Sequence, residues 1–157
     1  MLRIVRDDLS CAATRELLAL HLADMRAVSP PGQAFALDLD GLAAPDVDVW
    51  SAWEGGAIAA VGALRTHPGE LGEVKSMRTH PGRLRRGVGA ALLDHIISEA
   101  TARGLRRLSL ETGSGPAFDA AVALYRRRGF RDGGPFADYA ASGFNRFLHL
   151  DLGGADA

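Results

Sequence analysis

Between Met77 and Leu93 the chain reads Met77-Arg78-Thr79-His80-Pro81-Gly82-Arg83-Leu84-Arg85-Arg86-Gly87-Val88-Gly89-Ala90-Ala91-Leu92-Leu93. A strand end, a tight basic loop and a helix start follow one another directly. Such a loop aims free backbone N–H groups and the positive end of a helix dipole at one point. Gly87 and Gly89 lack a Cβ, so an anion can approach the main chain closely. Arg83, Arg85 and Arg86 add positive charge around them, and a pyrophosphate is the ligand this geometry favours. Taken alone, the two glycines could equally make the turn while the arginines stay solvated. Two familiar phosphate patterns do not apply. The dinucleotide pattern G-x-G-x-x-G fails at its third glycine, where Leu92 stands, and no Gly-Lys-Ser/Thr follows as the P-loop requires.

The periodicity on either side of the loop sets the architecture. Leu2 to Arg6 alternates as a short strand. From Ser10, taken as the N-cap, to about Ala27, the residues Leu17, Leu18, Leu20, Leu22 and Met25 mark an amphipathic helix. Ser29-Pro30-Pro31-Gly32 breaks it, and the stretch to Pro45 reads as an ordered loop with one helical turn near Phe35 to Leu39. Asp46 to Glu54 and Ala57 to Arg65 form a hairpin about Gly55-Gly56, which supply its positive φ angles. Pro68-Gly69 turns the chain into a strand over Gly72 to Thr79. Past the basic loop, a helix runs to about Arg103 with Val88, Ala91, Leu92 and Ile96 on one stripe, and Gly104 stops it. Leu105 to Glu111 is a strand, Ser114-Gly115-Pro116 starts a helix that Gly129 ends, and Phe130 to Gly133 and Arg146 to Leu152 close the sheet. The expected class is α/β with a mixed sheet, in a single domain over residues 1–157.

Composition removes several functions. With 18 basic and 19 acidic residues the formal charge is −1, so no basic surplus points to nucleic acid. The single cysteine, Cys11, excludes an intrachain disulfide and a Cys-rich zinc site. His67, His80 and His149 have no metal-like spacing, and no metal site is expected. His95 shares the stripe of Val88 and Leu92 and reads as structural. Met1 to Asp8 has no apolar signal core, and no stretch reaches the roughly 18 apolar residues of a membrane span. The expectation is a cytoplasmic protein without nucleic-acid or membrane partners.

The segment Leu84-Arg85-Arg86-Gly87-Val88-Gly89 resembles motif A of the GNAT superfamily of acyl-CoA-dependent N-acetyltransferases, Q/R-x-x-G-x-G/A between a strand and a helix. Leu84 stands where the family usually has Gln or Arg, which leaves Arg83 or Arg85 as substitutes. Ala123-Leu124-Tyr125-Arg126-Arg127-Arg128-Gly129-Phe130 resembles the L-Y-x-x-x-G-F of motif B, and Phe118 replaces the Asn common seven residues before that Tyr. In element order the resemblance covers Leu2 to Leu152. It implies a GNAT-like fold, a mostly antiparallel central sheet flanked by helices and splayed at the CoA site. It also implies acetyl-CoA as co-substrate, bound by Met77, Arg78, Thr79, Arg83, Leu84, Arg85, Arg86, Gly87, Val88, Gly89 and Ala90, with Met77 to Thr79 bonding the pantetheine amides through the main chain.

An amine attacks a thioester only when neutral, and a lysine-like amine lies about 3.4 pKa units, roughly 4–5 kcal/mol, from that state at pH 7. A carboxylate beside the thioester is the expected remedy. By resemblance Glu73 holds the general-base position, its other readings being a solvent-facing strand residue or a partner of Lys75. Tyr125 resembles the general acid near the sulfur, its other reading being a core tyrosine bonded to backbone. Glu111 and Thr112 end the strand beside the splay and are candidates for touching the acceptor. Cys11 is too far in sequence from both motifs to carry the acetyl group and is expected to be a small buried hydrophobe, so direct transfer in a ternary complex is favoured.

Arg126, Arg127 and Arg128 complement a helix C-terminus, and one of them could meet the CoA 3′-phosphate. The acceptor, a small-molecule, amino-acid or peptide amine, should lie among residues 21–39 and 134–145, which include Asp24, Arg26, Ser29, Gln33, Asp38, Asp138, Tyr139 and Asn145. A non-catalytic acyl-CoA-binding module and a homodimer both stay open at this level.

Overall fold

The computed structural model describes residues 1–34 and 36–153, and alternating apolar residues with the Gly55-Gly56 turn build the first half of the chain. Strand β1 spans Leu2–Asp7, helix α1 Ala12–Val28, the short helix α2 Leu39–Leu42, and strands β2, β3 and β4 Val47–Glu54, Ala57–His67 and Leu71–Thr79. Helix α3 covers Val88–Ala102, β5 Arg107–Thr112, α4 Asp119–Arg127, β6 Arg131–Gly133 and β7 Arg146–Asp151.

The strands form one sheet in the order β1-β2-β3-β4-β5-β7-β6, antiparallel everywhere except between β4 and β5. This is the mixed, mostly antiparallel sheet expected. The parallel pair is short: only Leu71–Glu73 meets Arg107–Ser109, and beyond it the facing edges of β4 and β5 have no strand partner. A bulge in β4 accompanies the parting. Ala63 pairs with Lys75 and Val61 with Arg78, so Ser76 and Met77 together stand opposite Gly62. Ser76 takes φ +56° there, an uncommon conformation for a residue with a Cβ.

Each face of the sheet buries its own apolar cluster. On one side α3 packs Val88, Leu92, Leu93, Ile96 and Ala100 against Leu64, Val74, Leu108 and Leu110, together with Tyr125 and Phe130. On the other, Leu17 and Leu18 of α1 and Leu42 of α2 cover Val49, Val61 and Ala63. Each large side chain so buried contributes about 1.5–3 kcal/mol. Asp7 Oδ2 fastens α1 to the sheet by accepting from Thr14 Oγ1 at 2.8 Å and Ser51 Oγ at 2.7 Å.

Four local expectations are corrected. The N-cap of α1 is Cys11 rather than Ser10, because the Ser10 hydroxyl is already committed to Asp8 Oδ1 at 2.6 Å. Cys11 is consequently exposed and not a buried hydrophobe. The helical turn expected near Phe35 to Leu39 forms at Leu39–Leu42, where Asp38 caps it by accepting from Gly41 N at 2.9 Å; Phe35 lies outside the described residues. Pro116 opens a 3₁₀ turn, Pro116–Phe118, and α4 proper begins at Asp119.

Candidate active site

The parting of β4 from β5 opens a cleft of about 700 Å³ that runs beneath the basic loop and the start of α3. At that end Pro81–Arg83 forms a 3₁₀ turn, Arg85 has φ +64°, and Gly87 caps α3 with φ +77°, a conformation that explains a glycine at this position. A Cβ on Gly89 would stand 3.0 Å from Thr79 Oγ1, so the glycine lets strand end and helix start meet. No side chain caps α3, which leaves its first N–H groups available to an anion. Arg83 ion-pairs with Glu54 at 3.4 Å. The lining includes Met77, Arg78, Thr79, Arg83, Leu84, Arg85, Gly87, Val88, Gly89 and Ala90. Arg86 alone of the expected set stands outside it, exposed.

Helix α4 contributes Leu124, Tyr125 and Arg127 to the same cleft. Tyr125 is buried edge-on against Phe130, with ring centroids 5.8 Å apart. Its hydroxyl makes no hydrogen bond among the described residues, so it is not a core tyrosine tied to backbone. Burial pushes its pKa up to about 12. Arg126 pairs with Asp132 at 2.7 Å and Arg128 with Asp94 at 2.6 Å, while Arg127 forms no ion pair among the described residues. Phe118, at the position where Asn is common, packs edge-on against Phe144.

The far end of the cleft lies on the face that carries α1 and the loop of residues 134–145. Buried Glu73 and Lys75 and half-buried Tyr139 form a cluster there. Glu73 is 1% exposed: Oε1 accepts from His67 Nε2 at 2.8 Å, and Oε2 accepts from Lys75 Nζ at 3.1 Å and from the Tyr139 hydroxyl at 2.5 Å. Lys75 also donates to the Tyr139 oxygen at 2.7 Å. Glu73 is therefore neither solvent-facing nor part of the cleft wall, whereas Lys75 and Glu111 line the cleft. Burial, opposed by the Lys75 cation and reinforced by the Glu73 anion, raises the Glu111 pKa to about 7. Thr112 lines the cleft as well.

Of the other acceptor candidates, Ser29 and Gln33 line the cleft. Asp24 holds Arg78 Nη2 at 2.6 Å, and Asn145 organises its own loop by accepting from Ser142 N at 2.7 Å. Asp38 is consumed as a cap, and Arg26 and Asp138 are exposed outside the lining. The side chain of Arg78 and the buried imidazole of His21 line this end too. His21 opens the segment expected to meet the acceptor without being singled out in it, and Arg78 reads from the sequence only as a main-chain contact. The alternation of β4 would have placed its side chain correctly only if the bulge at Ser76 were known.

The profile of the acetyltransferase (GNAT) family matches residues 14–130. The chain is 47% identical over 152 residues to the uncharacterized N-acetyltransferase YedL of Escherichia coli strain K12, covering 97% of this chain and 96% of that protein. Among solved structures, an acyl-CoA N-acyltransferase assignment from Klebsiella pneumoniae superposes with TM-score 0.79 at 25% identity, covering 97% of this chain and 98% of that one. A Bacillus subtilis acetyltransferase solved in complex with CoA shares the fold at TM-score 0.71 and 20% identity, covering 96% and 99% of the two chains.

Proposed function

The chain belongs to the acetyltransferase (GNAT) family, and from that premise we propose that it moves an acetyl group from acetyl-CoA to a primary amine by direct transfer in a ternary complex. The observation that carries this reading is the opening between β4 and β5, with an anion-binding loop at one end and, as the one carboxylate of its lining among the described residues, Glu111 at the other. The loop suits a diphosphate: uncapped N–H groups at Gly87 to Gly89, close main-chain approach and the Arg85 cation all converge there. Arg127, without an ion pair among the described residues, is the arginine of α4 available to a further phosphate.

Acetyl-CoA supplies the activated carbonyl and a thiolate leaving group. Glu111 takes the proton that the amine must lose for its nitrogen to form the new C–N bond as the C–S bond breaks. With a pKa of about 7 it is matched to that task at neutral pH. Glu73, by resemblance the base, acts in this reading one layer below, as a fixed negative charge that holds Lys75 and Tyr139 and raises the proton affinity of Glu111. Tyr125 directs its unpaired hydroxyl at the departing sulfur. Complete transfer from a phenol of pKa about 12 to a thiolate near 8.5 is uphill by roughly 5 kcal/mol, so its contribution is a hydrogen bond to the sulfur as charge develops. The thiolate takes up the second proton that the nitrogen sheds as the amide forms.

The test is release of CoA thiol from acetyl-CoA against a broad panel of primary amines, for the wild type, Tyr125→Phe, Glu111→Gln and Glu73→Gln. Release should depend on the amine, fall by about 10- to 100-fold in Tyr125→Phe, and fall further in Glu111→Gln than in Glu73→Gln. Acetyl-CoA binding with no amine-dependent release would favour a non-catalytic acyl-CoA-binding module. Failure to bind CoA at all would contradict both.

A further inference from the structure

The acceptor end of the cleft contains more cationic hydrogen-bonding capacity than the protein uses. The Arg78 side chain is 19% exposed and donates to one partner among the described residues, Asp24 Oδ2. A guanidinium carries five N–H donors, so most of this largely buried fork has no protein acceptor. Lys75 lines the cleft and places two of its three N–H groups on Glu73 and Tyr139, and its third has no hydrogen-bond partner among the described residues. Donors of buried cations left without an acceptor are costly, so this end of the cleft favours an anionic group.

The neighbours sharpen the preference. His21 lies near Arg78, is 9% exposed, and has no hydrogen-bond partner for Nδ1 among the described residues. Burial, with the Arg78 cation adding to it, lowers its pKa to about 4, so it is neutral at pH 7 and does not add to the positive field. Across the same end, Glu111 is the one acidic side chain of the lining among the described residues. A ligand that satisfies both walls has a basic nitrogen toward Glu111 and an anion toward Arg78. The same cleft lining also includes the apolar residues Met25, Ala34, Ala36 and Val74.

Resting on the transferase reading above, we propose that the acceptor is a zwitterion: a free amino acid or short peptide whose amine is acetylated beside Glu111 while its own carboxylate docks on Arg78, with Lys75 adding charge. A polyamine fits poorly, because its second cation would fall beside Arg78 and Lys75, where the nearby carboxylates of Asp24 and Glu73 are already engaged by those two cations.

Matched acceptors decide the question: a series of amino acids and dipeptides, each beside its carboxamide and, for the amino acids, its decarboxylated amine, assayed with the wild type and Arg78→Gln. The wild type should prefer the acid over both analogues by at least about tenfold in kcat/KM. Arg78→Gln should raise KM for the acid by about 10- to 100-fold, leave the carboxamide nearly unchanged, and leave KM for acetyl-CoA unchanged, since the expected contacts of residue 78 with that substrate are main-chain. The proposal is overturned if carboxamides or simple amines match the acids in the wild type. It is also overturned if Arg78→Gln weakens all acceptors equally. The wild-type comparison stands alone if the variant does not fold. Amine-dependent turnover without a carboxylate preference refutes this inference and spares the transferase reading; no turnover with any amine refutes both.

Discussion

Tyr139 donates its hydroxyl to Glu73 Oε2 at 2.5 Å, joining the loop after β6 to the strand that floors the acceptor end of the cleft. The two residues are 66 positions apart in sequence, and a second tie, Ser142 Oγ to Gln33 Oε1 at 2.8 Å, holds the same loop to the segment after α1. The acceptor end is thus closed by contacts between two loops and one buried carboxylate. Removing the hydroxyl in Tyr139→Phe deprives Glu73 of a donor and Lys75 of an acceptor. Stability should fall by about 1–3 kcal/mol in denaturant titration. In steady-state kinetics KM for the acceptor should rise while KM for acetyl-CoA holds, and an equal rise in both would argue against a role confined to the acceptor end.

Glu111 should impose a pH dependence. Its ordinary value is near 4.5 and burial raises it to about 7, so kcat/KM for the acceptor should climb as pH rises through about 7 and the carboxyl loses its proton. Glu111→Gln should lose this limb together with at least about 100-fold in rate. The linked effect on stability runs the other way. Between pH 4.5 and 7 the folded chain holds this proton more tightly than the unfolded chain, so the stabilisation present at low pH is lost as pH rises through 7. Glu111→Gln, with no charge to bury, should therefore gain in melting temperature over the wild type as pH is raised from 5 to 8.

Much of this site was legible in the sequence because its signals are local. The strand-loop-helix succession from Met77 to Leu93 and the Leu124-Tyr125 pair before Gly129-Phe130 each lie within one element and its turn, and both meet at the cleft. The acceptor end was not legible, because it is made by contacts distant in sequence and by one local irregularity. Ser76 adopts a left-handed conformation without being Gly or Asn, so nothing in the residue types announces the bulge that splays β4 and turns the Arg78 side chain toward α1. Glu73 looks like an ordinary strand residue until His67 and Tyr139 are brought over it. Cys11 has a residue type that is usually buried, but at a helix start before the apolar stripe it has no core to enter and stays exposed.

Gly87 tests the phosphate loop. At φ +77° a β-branched side chain is strained, at a cost of about 1–2 kcal/mol, and it would crowd the N–H groups that face the cleft. Gly87→Val should raise KM for acetyl-CoA at least tenfold, with the acceptor KM little changed. An unaltered KM for acetyl-CoA would show that the ligand does not approach this main chain.

Arg127 offers a narrower test at the same end. With Arg126 and Arg128 engaged by Asp132 and Asp94, Arg127→Ala should weaken CoA binding in calorimetry by several-fold and leave binding of CoA lacking its 3′-phosphate unchanged. Equal weakening of both would assign Arg127 elsewhere on the ligand.

Direct transfer is the central claim, and two-substrate initial-rate kinetics test it most directly. With acetyl-CoA and an accepted amine varied together, double-reciprocal lines should intersect, as they must when both substrates occupy the cleft at once, and Cys11→Ser should leave the rate unchanged. Parallel lines, together with an acetyl group retained on the protein in the absence of amine, would contradict the account.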